Sequence, residues 1–330
     1  MPEFRRTLLA ASIAVVALSV IATTTAPARA LDDEQTFVGL DGLVHQVSPT
    51  VIQGRGGYYF IGTDFDTACA FGGHLETALE RLSRLARILT RAGKKVYFTV
   101  TPNKASVARE VLPVPLPQQG CARKGMRIQS GILDSYRDPH YLPIRRQLIA
   151  TPHAYWHTDT HWSTAGTDVF AKALAQALDP RLADRLSYKR TTRTHLGDLA
   201  KVVGAGPETI IGRVPSNGVR TRPARGSTAF DPTLTTLSTD FSWVSGPSRK
   251  TYPGRTLLLG DSFTYVASEA LTNLFRKGRF MWLGFQDSMQ ELADAVNASD
   301  TVVFTVVQRF ATITSLVDPK FQNKLKSLLR

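Results

Sequence analysis

Between His74 and Ala92 the apolar residues Leu75, Leu79, Leu82, Leu85, Ile88 and Leu89 recur at three- and four-residue steps, with arginines between them. That spacing predicts a helix with one buried face. Gly93 closes it, and Lys95-Val96-Tyr97-Phe98-Thr99-Val100 follows, a β-branched and aromatic run suited to a central parallel strand. The pairing of helix and buried strand recurs downstream. A helix is predicted over 163–178, a strand over 255–259, a helix near 265–275, a strand over 280–284, a helix over 288–296 and a strand over 301–307. Such alternation predicts an α/β fold, a mostly parallel sheet with helices packed on both faces. Upstream, residues 31–57 are irregular, and Gly54-Arg55-Gly56-Gly57-Tyr58-Tyr59-Phe60-Ile61-Gly62 reads as a glycine turn feeding a short aromatic strand. Residues 204–253, rich in Gly, Pro, Ser, Thr and Arg, break the rhythm and are predicted to be a long surface insertion over or beside the functional site.

The N-terminus has an address of its own. Arg5 and Arg6 precede an apolar stretch from Leu8 to Ala22, and Ala28-Arg29-Ala30 is an A-x-A cleavage pattern, so residues 1–30 are predicted to be an export signal and 31–330 one domain. At 1.5 Å per residue the apolar stretch reaches roughly 22 Å, short of the roughly 30 Å hydrocarbon core, which makes membrane anchoring by this segment the secondary reading. The exported protein would be periplasmic, held in the cell envelope or secreted. The chain has only two cysteines, Cys69 and Cys121, and outside the reducing cytoplasm an even number favours a disulfide between them. Closing a loop of that length stabilises a fold by roughly 4 kcal/mol through chain entropy.

Removing three Arg and one Glu with the signal leaves +11 of the formal charge of +13. A field of that sign attracts polyanions such as uronate-containing glycans, anionic wall polymers or an anionic membrane surface. Nucleic acid is not predicted as a partner, because the chain is exported and has no aromatic-interleaved basic groove.

The residues that suggest chemistry are Gly260-Asp261-Ser262-Phe263, directly after the apolar run Thr256-Leu257-Leu258-Leu259. A serine is thus presented where a buried strand turns into a helix. About a hundred residues earlier, Asp159-Thr160-His161-Trp162 opens another helix. A serine hydroxyl becomes a nucleophile when a base takes its proton, and histidine serves as that base when a carboxylate fixes its tautomer and supports the imidazolium. Ser262, His161 and Asp159 can fill those roles, and the backbone N–H of Ser262 at a helix start can face a developing oxyanion. Taken singly, each motif has a plainer role as a helix cap. Tyr155, Trp156 and Trp162 could stack on sugar rings or fill the core. His157 and His161 stand four apart with Asp159 between them, but no Glu completes an H-E-x-x-H helix, so no metal is predicted. No cofactor is predicted either.

Several stretches, in order along the chain, resemble the alginate O-acetyltransferase family, whose members carry an SGNH-hydrolase-like fold. They are the glycine-rich segment at 54–60, Val100-Thr101-Pro102-Asn103-Lys104, His157-Thr158-Asp159-Thr160-His161-Trp162 with Gly166 beyond it, His195-Leu196-Gly197-Asp198-Leu199, and Gly260-Asp261-Ser262-Phe263. The Asp-x-His-Trp block is the most specific, and here, as in that family, it precedes the serine block. The resemblance implies an SGNH-hydrolase-like three-layer α/β/α sandwich, with Ser262 as nucleophile, His161 as general base and Asp159 as its orienting carboxylate. Lys104, Tyr155, Trp162 and Arg309 are candidate substrate contacts. The glycine and asparagine oxyanion donors of the SGNH hydrolases have no counterpart identified here, and Gln308 stands where family members often carry an acidic residue before the arginine. The implied activity is transfer of an acetyl group to a hydroxyl of a cell-envelope or secreted polysaccharide, with a membrane-bound partner supplying acetyl groups outside the cell. The alternatives are a carbohydrate esterase of the same fold and a glycan-binding or scaffolding protein without turnover.

Overall fold

The computed structural model describes residues 35–38, 44–47, 51–228, 238–284 and 288–330, so the predicted export signal lies outside the described residues. In chain order the strands are β1 (Gln35–Val38), β2 (Val44–Val47), β3 (Val51–Gln53), β4 (Tyr59–Ile61), β5 (Lys95–Thr101), β6 (Tyr188–His195), β7 (Glu208–Pro215), β8 (Arg220–Pro223), β9 (Asp240–Gly246), β10 (Tyr252–Gly260), β11 (Phe275–Trp282) and β12 (Thr301–Val307). The helices are α1 (Thr63–Phe71), α2 (Leu75–Arg91), α3 (Lys104–Val107), α4 (Gln119–Ser135), α5 (Arg145–Ile149), α6 (Thr164–Leu178), α7 (Pro180–Asp184), α8 (Asp198–Val203), α9 (Ser262–Leu271), α10 (Met289–Asn297) and α11 (Pro319–Leu328).

A six-stranded sheet in the order β5-β12-β10-β11-β9-β8 forms the centre. The first four strands run parallel, and β9 and β8 extend the sheet antiparallel. Strand pleating sends alternate residues to opposite faces. Leu257, Leu259, Val302 and Phe304 therefore pack on one face against Leu79, Leu82 and Leu89 of α2, Leu292 of α10 and Leu325 of α11. Leu258 and Val303 pack on the other with Phe170 and Leu174 of α6 and Phe263 and Leu271 of α9. With both faces covered, every residue of β12 is buried, which is why it reads as a β-branched and aromatic run without charge. The fold is SGNH-hydrolase-like: two helical layers about a mostly parallel sheet.

Two expectations are revised. The segment 204–253 is not irregular throughout: β7 pairs with β6 in a separate hairpin, and β8 and β9 join the sheet. Phe241, Trp243 and Ser245 are buried at alternate positions of β9, a two-residue period hidden among Ser, Thr and Gly. Strand β11 begins at Phe275, five residues before the expected start, and α9 ends at Leu271. The early part of β11 carries Arg276 and Lys277, both exposed, and Gly278, where a Cβ would lie 2.4 Å from the Trp243 ring. The glycine looks like a breaker in sequence, yet it is required so that β9 can lay an indole across the strand. Cys69 on α1 and Cys121 on α4 form the expected disulfide. The two helices approach closely enough there that a Cβ on Gly125 would meet Ala68 O at 1.8 Å.

Candidate active site

The turn after β10 presents Ser262. Gly260 is required by space, since a Cβ would fall 1.9 Å from Thr264 Oγ1 and 2.9 Å from Thr305 O. Asp261 caps α9: its Oδ1 accepts the Phe263 N–H at 3.0 Å, and its Oδ2 accepts the Val307 N–H at 2.6 Å from the end of the neighbouring strand β12. The carboxylate thus ties the serine turn to the sheet on one side and the helix on the other. Ser262 is the first residue of α9 and is partly exposed.

His161 lies on the loop between Ala154 and Ser163, which closes through the Ser163 N–H to Ala154 O at 2.8 Å and leads into α6, capped by Ser163 Oγ. Gly166 has the same steric necessity as Gly260, because a Cβ there would meet Ala154 O at 2.2 Å. Asp159, fully withdrawn from solvent, accepts four hydrogen bonds. Its Oδ1 takes the His161 N–H at 2.8 Å and His161 Nδ1 at 2.6 Å; its Oδ2 takes His195 Nε2 at 2.6 Å and the Asp198 N–H at 3.0 Å. The donated Nδ1–H leaves His161 Nε2 as the basic nitrogen, and that atom is buried with no hydrogen-bond partner. Burial opposes the Asp159 charge, but the imidazole of His161, its hydrogen bond and those of His195 outweigh it and hold the carboxyl well below its ordinary range. Burial likewise disfavours the His161 imidazolium, yet the Asp159 charge and hydrogen bond raise its pKa above that of an ordinary histidine.

The loop and the turn are joined directly. Trp162 Nε1 donates to Phe263 O at 3.0 Å, and the His161 and Phe263 rings lie 4.8 Å apart between centroids. The residues following His161 and Ser262 are therefore bonded to each other. Asp159 and His161 are brought into direct contact; Ser262 and His161 occupy adjoining elements without a hydrogen bond between them.

Residues that sequence reasoning did not place in this site hold the loop. Glu208 of β7 accepts the His157 N–H at 2.9 Å, the Thr158 N–H at 2.7 Å and the Thr158 hydroxyl at 2.5 Å. Asp198 accepts the Thr160 N–H at 2.8 Å and its hydroxyl at 2.5 Å. His195 stands opposite Glu208 in the β6–β7 register, so one hairpin end braces both sides of the loop. Gly197 permits this approach, since a Cβ would meet Thr158 O at 2.0 Å. The His195–Leu199 block signalled its own importance but not its role, and Glu208 gave no signal in its Gly-Pro-Glu-Thr context.

The expected substrate contacts lie behind the site. Lys104 Nζ donates to Tyr59 O and His157 O at 2.6 Å each and to Asp159 O at 3.0 Å, leaving no ammonium hydrogen for a ligand. Burial pulls its pKa down to about 8 against the raising influence of Asp159 and Glu208. Trp162 and Tyr155 are core side chains, 0 % and 2 % exposed, with their polar atoms bonded to Phe263 O and Pro102 O, so neither offers a face to a sugar ring. Arg309 is buried, pairs with Asp64 at 3.4 Å and lies over the Phe263 ring. Among the described residues one group of donors, Asp159, His161 and Asp198, has the proximity of a metal site, within 4.8 Å of one another. In this structure Asp159 and Asp198 are already engaged by the hydrogen bonds just described.

The sequence model of the family described as "SGNH hydrolase-like domain, acetyltransferase AlgX" matches residues 51–239. The chain belongs to this family. The matched span contains Lys104, Asp159, His161, His195, Asp198 and Glu208, and ends before Ser262. The probable alginate O-acetylase AlgJ of Pseudomonas aeruginosa is 29% identical over 175 residues, 50% of this chain and 44% of that protein, so the alignment spans less than half of the relative. Bacillus cereus PatB1 shares the fold at a TM-score of 0.55 and 14% identity, over 82% of this chain and 99% of that one. The O-acetyltransferase domain of Pseudomonas putida AlgJ superposes at a TM-score of 0.49 with 19% identity, over 84% of this chain and 99% of the domain. Among the described residues no helix is long and apolar enough to cross a membrane.

Proposed function

We propose that this acetyltransferase-family chain is an exported O-acetyltransferase that carries an acetyl group on Ser262 and delivers it to a hydroxyl of an anionic cell-envelope or secreted polysaccharide. The observation that supports this most is His161: Nδ1 fixed on a buried carboxylate, Nε2 unpartnered, on a loop bonded to the helix that Ser262 begins.

In the reaction, Ser262 Oγ gives its proton to His161 Nε2 and attacks the donor's acetyl carbon. The charge that develops on the carbonyl oxygen meets the Ser262 N–H at the start of α9, where the helix dipole favours an anion. The bond to the donor's leaving oxygen breaks, that oxygen takes the proton from His161, and Ser262 is left as an ester. A sugar hydroxyl then gives its proton to the same nitrogen, attacks the ester carbon and expels Ser262 Oγ, which recovers the proton. Asp159 supports the imidazolium in both halves. The name of the P. aeruginosa relative, an alginate O-acetylase, favours a polysaccharide acceptor, and the net charge of +11 left without residues 1–30 suits an anionic one. Acetyl groups reach the outside of a cell through a membrane-bound partner, which this reading requires.

Treatment with a serine-directed phosphonate followed by peptide mass spectrometry is expected to label Ser262. Labelling elsewhere or not at all would overturn the nucleophile. With an acetyl ester donor and an anionic oligosaccharide, acetylated sugar is expected; free acetate alone would make the protein an esterase.

A further inference from the structure

Beside Ser262 the structure has a cleft that acetyl transfer does not account for. It has a volume of about 400 Å³ and is walled by Asp261 and Ser262, by Trp282, Leu283, Gly284, Val306, Phe310 and Ile313, and by Thr314 and Ser315, but not by His161. These residues come from the carboxyl ends of β10, β11 and β12 and the turn after β12, where open α/β sheets hold their ligands. Leu283 is fixed next to the nucleophile by its N–H, which donates to Gly260 O at 2.7 Å.

Size and polarity identify what fits. One water takes about 30 Å³ and a two-carbon acyl group only two or three times that, while about 400 Å³ is within the range of whole small-molecule sites. A sugar ring needs several hydrogen-bonding partners, and the cleft has few to give. The Asp261 carboxylate is held by the Phe263 and Val307 N–H groups, the Thr314 hydroxyl accepts from the Leu316 N–H, and the hydroxyls of Ser262, Thr314 and Ser315 are the side-chain donors that remain. The rest of the wall is mainly aromatic and aliphatic carbon. A chain lying there would have its carbonyl at Ser262 and its methylenes against Leu283, Val306 and Ile313, and the imidazole would stay clear for the acceptor.

We infer that this cleft is an acyl-chain subsite and that the enzyme forms its Ser262 ester from linear acyl groups of about four to eight carbons as well as from acetyl. The inference rests on Ser262 being the acylated residue. The chemistry is unchanged: the acyl–oxygen bond of the donor ester breaks, the Ser262 ester forms, and the released alcohol takes the proton.

The test is a series of p-nitrophenyl esters, acetate to octanoate, with the full chain, alongside phosphonate labelling of Ser262. kcat/KM is expected to rise about threefold per added methylene up to hexanoate. Ile313→Trp, which fills the cleft from a partly exposed position, should cut the hexanoate-to-acetate ratio at least tenfold, and Ile313→Ala should move the optimum to octanoate. A steep fall beyond acetate in the unaltered protein, with Ser262 labelled, would overturn the subsite alone. Equal losses for all esters in Ile313→Trp would do the same. No turnover with any ester and no label on Ser262 would overturn the acyl-enzyme reading as well.

Discussion

Ser262 is placed by the sheet, and His161 is placed by charges. The serine turn grows out of a strand in the middle of the sheet whose last five residues, Thr256–Gly260, are all buried, and a single side chain, Asp261, fixes its exit. Most of what sets its position lies in the sheet and the helix cap, with one bond from the Trp162 indole to Phe263 O. The histidine loop has little regular structure. Lys104 holds its carbonyls and Glu208 and Asp198 hold its N–H groups, while His195 takes the far oxygen of Asp159; these come from α3, β7, α8 and β6. A nucleophile on a strand end needs only the fold, whereas a base on a loop needs polar partners to replace the ladder that its backbone lacks. Each of those partners is buried or half-buried, so their bonds count for more than at a surface, and losing one leaves a stranded group.

The largest effects are expected where the two regions meet. Ser262→Ala and His161→Ala should each lower turnover on the order of 10⁴-fold or more, and the double variant should be no worse than either alone, because proton transfer and attack are one event. Losses that multiply in the double variant would separate the two residues and break the comparison. The pH profile of the unaltered enzyme sharpens it. Catalysis requires neutral His161, and Asp159 holds that pKa above the ordinary histidine value, so kcat/KM should fall about tenfold per pH unit on the acid side, with a midpoint above about 6.5. A midpoint at or below that value would mean that the base is not the imidazole bonded to Asp159.

Glu208→Gln probes the loop without touching the reacting atoms. One oxygen of Glu208 serves Thr158 and the other His157, so an amide replaces one acceptor with a donor facing an N–H. We expect a loss of about 1–3 kcal/mol in stability and roughly tenfold in kcat, with phosphonate labelling of Ser262 slowed but not abolished. A stable variant with unchanged kcat would show that the loop needs no brace from the hairpin.

This difference between the regions also explains what could be read in the sequence. The parallel strands and the Gly-Asp-Ser turn are local signals: an apolar run, a glycine forced by Thr264 and Thr305, a cap. Asp159 and His161 were legible because they are two residues apart on one loop. His195, Asp198 and Glu208 lie 36 to 49 residues further on, and nothing in their own neighbourhoods marks which backbone they will meet. Lys104 misled for the same reason. A lysine in a block of this kind reads as a candidate substrate contact, and only the closure of Tyr59, His157 and Asp159 around it turns the ammonium inward. The strands β8 and β9 were lost to composition, because a two-residue period of Phe, Trp and Ser is weak among Gly, Thr and Arg.

The smallest effect is expected at a buried carboxylate that has none of this support. Asp168 on α6 is 2 % exposed and its Oδ2 has no hydrogen-bond partner. Burial raises its pKa to about 7, even though Arg213 and Lys172 pull the other way. Asp159 is equally buried, yet the His161 imidazole beside it, with the hydrogen bonds from His161 and His195, drives its pKa down. The two carboxylates therefore bear on stability with opposite signs. Asp159 stabilises the fold above its unfolded pKa near 4, and that contribution is lost as the pH falls through its lower folded value. Asp168 keeps its proton in the folded state from about pH 4 to about 7, so stability falls across that interval as the pH rises and stays lower above it. Asp168→Asn should then be more stable than the unaltered protein by a margin that widens by about 2 to 3 kcal/mol from pH 5 to pH 8, measured by urea unfolding at the two pH values. A destabilised variant at pH 8 would mean that Asp168 is charged and paired in the folded protein, and that partnered and unpartnered carboxylates do not differ here as the structure implies.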